Sequence, residues 1–77
     1  MDKYESEIFD RAYQSYLMGG DLHVVNFNKK PEVNKNNAKA VQSLKEKGLI
    51  EITHESDIRV KFRLTDDGID YGSKQYW

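Results

Sequence analysis

The chain has 77 residues, no cysteine, two histidines, and 12 Lys and Arg against 13 Asp and Glu, for a net charge of −1. That length makes one domain over residues 1–77, which buries only about 60% of the surface its unfolded form exposes. The missing cysteines exclude a disulfide framework and a thiolate zinc site. His23 and His54 stand in no metal-ligand spacing, so neither a metal nor a cofactor is expected. No apolar run approaches the roughly 20 residues of a membrane span. The polar, acidic start Met1-Asp2-Lys3-Tyr4-Glu5 does not read as a secretory signal. A cytoplasmic protein with no membrane contact is expected.

Tyr4, Ile8, Phe9, Ala12, Tyr13, Tyr16 and Leu17 recur at helical spacing and predict a helix from about Lys3 to Met18. Gly19-Gly20 ends it. Its aromatic stripe reads as core, because a small domain needs bulky side chains. Leu22 to Phe27, rich in β-branched and aromatic residues, predicts a short strand. Asn28-Lys29-Lys30-Pro31 is turn chemistry, since Lys30 precedes a proline and is pushed out of helical geometry.

Two readings of the next segment stay open. One helix runs from Pro31 to Lys47, with proline at its first position. Alternatively, a single turn at Pro31 to Asn34 breaks before a helix capped by Asn34 or Asn36, and the asparagines favour this second reading. Either way, no amphipathic helix of ordinary length fits between Gly20 and Asn34, so a middle helix is short or missing. Ala40, Val41 and Leu44 give the helix its buried face. Gly48 supplies a left-handed exit.

Ile50 and Ile52 alternate with Glu51 and Thr53 as a half-buried strand should. Glu55-Ser56-Asp57 makes a tight connection. Ile58, Val60, Phe62 and Leu64 then alternate with Arg59, Lys61 and Arg63, the cleanest period-2 pattern in the chain. Thr65 with Asp66 and Asp67 starts a last helix, which Gly68 and Gly72 keep short or frayed. The expected fold class is α+β: a winged helix-turn-helix with a short or degenerate second helix and a two-stranded wing.

Charge is unevenly placed. Residues 1–22 carry −3, residues 23–50 carry +4, residues 51–64 balance, and residues 65–77 carry −2. The positive charge gathers where a recognition helix would lie.

Two motifs carry a family resemblance. Leu44, Lys45-Glu46-Lys47 and Gly48-Leu49-Ile50, followed at the right separation by Leu64-Thr65-Asp66-Asp67-Gly68, resemble the recognition helix and wing of winged-helix regulators of the multiple-antibiotic-resistance type. The chain also resembles small stand-alone winged-helix proteins of low-GC bacteria and their prophages. It departs from the family in its reduced second helix, in Asn37 where an apolar residue is usual, in an acidic wing turn, and in lacking long dimerising helices.

The resemblance implies transcriptional regulation through double-stranded DNA. A helix in the major groove would turn Lys35, Asn36, Lys39, Gln42 and Ser43 outward. Asn and Gln can bond adenine twice through its N6 and N7 edge. Lys29 and Lys30 would approach the backbone at the helix entrance, and Arg59, Lys61 and Arg63 would take phosphates from the wing. The competing reading treats Asn34, Asn36 and Asn37 as caps and turn residues. No carboxylate pair or nucleophile constellation points to an enzyme. The alternative function is a protein-interaction module without DNA binding. Tyr71, Tyr76 and Trp77 are the aromatic types interfaces favour; they make a homodimer contact or fold back over the core.

Overall fold

The computed structural model describes residues 1–27 and 30–75. Helix α1 (Lys3–Leu17) is followed by strand β1 (His23–Asn26), helix α2 (Pro31–Glu46), strands β2 (Ile50–Glu55) and β3 (Arg59–Leu64), and helix α3 (Asp66–Gln75). The three strands form one antiparallel sheet in the order β1-β3-β2. The fold is therefore α+β, and its layout is compatible with a winged helix. The two strands read as a wing are joined in the same sheet by β1. No helix among the described residues is long and apolar enough to cross a membrane.

Asp2 caps α1 by accepting a hydrogen bond from the Glu5 N–H at 2.9 Å. The helix ends before Gly19, whose φ of 94° few residues but glycine adopt. Its buried face is narrower than the sequence pattern: Ile8, Phe9, Ala12 and Tyr13 are buried, whereas Tyr4, Tyr16 and Leu17 are exposed. The unforeseen member is Glu5, only 6% exposed, which accepts a hydrogen bond from the Lys47 ammonium at 2.5 Å and ties α1 to the end of α2.

The segment from Pro31 is one helix, so the reading with a break at Asn34 is corrected. Lys30 is extended (φ −58°, ψ 148°), as a residue before proline should be, and Pro31 opens the helix. The Asn34 N–H already bonds the Lys30 carbonyl at 3.1 Å, which places Asn34 inside the first turn. Its side-chain amide donates instead to the Phe27 carbonyl at 3.4 Å. Helix propensity is a weak preference that packing overrides, and here Ala40, Val41 and Leu44 bury one face. Among the described residues, no helix lies between α1 and α2.

Val60 and Phe62 of β3 are buried in the core with Phe9, Leu44 and Ile50. Ile58, expected on that face, is 60% exposed because it sits in the turn before the strand. The pairing of β2 with β3 slips between Ile52 and His54. At that irregularity the Thr53 hydroxyl donates to the Lys61 carbonyl at 3.2 Å.

The two motifs that carry the family resemblance meet in space. The Thr65 hydroxyl donates to the Gly48 carbonyl at 2.6 Å and accepts from the Gly68 N–H at 3.0 Å. The Thr65 N–H bonds the Leu49 carbonyl at 3.1 Å. One threonine thus caps α3 and pins it to the exit of α2, where Gly48 adopts φ 76°. The glycines of α3 do not fray it. Gly68 and Gly72 are buried, and each lets a neighbour approach closely: the Leu49 carbonyl at Gly68 and the Tyr13 ring at Gly72. Tyr71 folds back over the core, its ring edge-on to Phe9 at 5.3 Å. Tyr76 and Trp77 lie outside the described residues.

Candidate nucleic-acid interface

On α2 the core-facing positions are Val33, Asn37, Ala40, Val41 and Leu44, so the solvent stripe falls on the opposite side. Lys35, Lys39 and Gln42 occupy that stripe and are exposed. Asn36 and Ser43, expected beside them, stand two turns apart on one flank and are half-buried. Lys45 is also exposed. Its helical spacing from Lys35 through Ala38 and Gln42 puts it on the same stripe, a signal legible in the sequence. Glu32 and Glu46 share the solvent side with these lysines.

The wing cations occupy a different surface. Val60 and Phe62 face the helices, so alternation turns Arg59, Lys61 and Arg63 to the other face of the sheet. Arg63 stands opposite Glu51 in the register and lies 3.9 Å from the Asp21 carboxylate. Lys61 is half-buried between Val24 and His54 of the neighbouring strands. Arg59 is exposed opposite Asn26, beside the turn of Glu55, Ser56 and Asp57.

Two hydrogen bonds bring the wing turn to the start of α2. The Phe27 N–H bonds the Ile58 carbonyl at 2.7 Å, and the Phe27 carbonyl accepts from Asn34. Arg59 and Lys30 therefore flank the same end of the molecule. Arg63, at the far end of β3, is not brought there. Lys29 falls outside the described residues. Among the described residues, Lys30, Lys35, Lys39, Arg59 and Lys61 make no ion pair, whereas Lys47, Arg63 and Lys74 do. No group of three or more His, Asp or Glu among the described residues could hold a metal ion.

A scan against protein-family models finds no match for this chain, and no curated protein is significantly similar to it in sequence.

Proposed function

We propose that this chain is a small winged-helix protein that binds double-stranded DNA, with transcriptional regulation as its role. The observation that carries the reading is the set of unpaired cations on the solvent stripe of α2 and at its entrance. Lys30, Lys35 and Lys39 are exposed, free of carboxylate partners among the described residues, and set beside Gln42. Free cations can release counterions by meeting phosphates, which is the main source of affinity for a duplex. Gln42 is the side chain on that stripe able to read an adenine edge. Arg59 supports the same end from the wing.

Fluorescence anisotropy with a mixed-sequence duplex at two salt concentrations tests this. Binding tighter than about 100 µM at low salt is expected, falling steeply with added salt. Replacing Lys35 and Lys39 together by Gln should lower the salt slope by about two. Absence of binding at about 100 µM in low salt refutes the reading.

A protein-interaction module is the second reading. It is favoured by the balanced charge on the outer face of the sheet, where Glu51 and Asp21 meet Arg63 and the turn carries Glu55 and Asp57. Recovery of one stoichiometric protein partner, without duplex binding, would select it. A homodimer through Tyr71, Tyr76 and Trp77 has less support, because the Tyr71 ring packs inward on Phe9.

A further inference from the structure

Strand β1 lies at an edge of the sheet and pairs with β3 alone. In its register, each step along β1 is matched by one step back along β3. Antiparallel pairs alternate between those that exchange backbone bonds and those that do not. Phe27 bonds to Ile58, so Val25 and His23 also turn their peptide groups toward β3. Val24 and Asn26 turn theirs to the open side. Among the described residues, no hydrogen bond from outside the sheet occupies those groups.

The open side is a groove of about 300 Å³. One wall is this strand edge. The other is α1, through Tyr4, Glu7 and Arg11, with Val33 and Asn37 of α2 between them. Arg11 is exposed and makes no ion pair among the described residues, although Glu7 lies one turn before it on the same helix. Its charge reaches into the groove: His23 is held below its usual pKa, first by burial and then by Arg11. The groove therefore offers unpaired peptide donors and acceptors, the half-buried Val33, and the side-by-side charges of Glu7 and Arg11.

We propose that this edge binds an extended segment of a partner protein as an added fourth strand. Val24 and Asn26 supply the ladder bonds, an apolar side chain of the partner covers Val33, and an acidic side chain meets Arg11. Main-chain pairing gives such a strand its affinity, and the side-chain contacts give its selectivity. This proposal does not rest on the DNA reading, because the solvent stripe of α2 is not part of the groove.

The test is an amide NMR titration of the full chain with acetyl-Thr-Asp-Thr-Val-Thr-amide, whose Asp and Val fall on one face of the strand. A second peptide carries Lys for Asp, and a third is N-methylated on its pairing residues. Resonances of Val24 and Asn26 should shift, and their hydrogen exchange should slow, while exchange at His23 and Val25 stays as it was. The Asp peptide should bind about tenfold more tightly than the Lys peptide, and Arg11→Glu should reverse that order. The N-methylated peptide should not bind. Val24→Pro should abolish binding and leave the fold intact, because it removes an N–H that the ladder does not use. The proposal is overturned by any of four results: no shift at about 1 mM peptide; equal binding of the N-methylated peptide; a Val24 amide as protected in the free protein as that of Val25; or concentration-dependent pairing of β1 with a second copy.

Discussion

Gly68→Ala offers a decisive test of how α3 is held. In an ordinary helix interior this change stabilises by about 1 kcal/mol, because alanine loses less backbone freedom. Here the sign should reverse. A Cβ at residue 68 would stand 2.0 Å from the Leu49 carbonyl oxygen, whereas ordinary contact begins near 3.4 Å. The helix must therefore retreat by about 1.4 Å, or the exit of α2 must yield by as much. Backbone cannot rotate away as a side-chain tip can. That retreat strains the bonds from Thr65 to the Gly48 and Leu49 carbonyls, 2.6 and 3.1 Å long. Overfilling costs about 1–3 kcal/mol, and each weakened hydrogen bond costs about 0.5–1.5 kcal/mol. After subtracting the helix-propensity gain, the expected loss is about 1–5 kcal/mol. A domain of this size holds only about 4–12 kcal/mol in all. Urea unfolding followed by far-UV circular dichroism should show a midpoint lower by roughly 1 M or more, taking a slope near 1 kcal/mol/M. A variant as stable as the parent, or more stable, would refute the reasoning. Gly72→Ala should also destabilise, because a Cβ there would stand 2.4 Å from the ring of Tyr13, which is buried against Phe9 and has little room to move.

Three further outcomes are expected. Lys30 stands at the N-cap of α2 without a side-chain capping bond. Lys30→Ser should raise stability by about 0.5–1 kcal/mol in the same urea assay, while weakening duplex binding. Lys47→Met should destabilise by about 2–3 kcal/mol, since it leaves the buried Glu5 carboxylate unanswered. Glu5→Gln should cost less, because the Lys47 side chain is 43% exposed and water can solvate it. The order of the two unfolding midpoints checks this pair. The folded protein holds His23 below its usual pKa, by burial and by Arg11, so the unfolded chain binds the proton more readily. Stability should therefore be fullest above about pH 6.5 and decline as pH falls toward the lowered folded value. His23→Gln should flatten that decline in thermal melts recorded across the acid range.

Much of this architecture is legible in the sequence because period and punctuation agree. Helix α1 runs where the apolar spacing places it and stops at Gly19. The exit at Gly48 and the alternation from Val60 to Leu64 are equally direct. What escapes is set by contacts distant in sequence. Asn34, Asn36 and Asn37 look like caps, yet α2 runs through them, because Asn34 finds a partner in Phe27 and the helix buries Ala40, Val41 and Leu44. Gly68 and Gly72 look like helix weakeners until Leu49 and Tyr13 are seen against them. Composition places the lysines near the middle of the chain. Alternation already turns Arg59, Lys61 and Arg63 away from the helical layer, but only the sheet shows that Arg59 alone of the three stands by the entrance of α2. The strand edge beside Arg11 has no sequence signature, because it depends on which neighbour β1 has and which it lacks.

The order β1-β3-β2 also bears on how the molecule is made. The central strand is the last of the three to be synthesised, and His23 waits for Phe62 before it has a partner. Strands β1 and β2 never touch each other as neighbours in the sheet. A chain growing on the ribosome therefore exposes two unpaired strands and a core that still lacks Val60 and Phe62 until residues 59–64 emerge. Thr65 and Gly68, which follow at once, then lock the newly closed sheet to the helix that preceded it. Truncation within the last quarter of the chain should consequently yield an aggregating product rather than a smaller folded one.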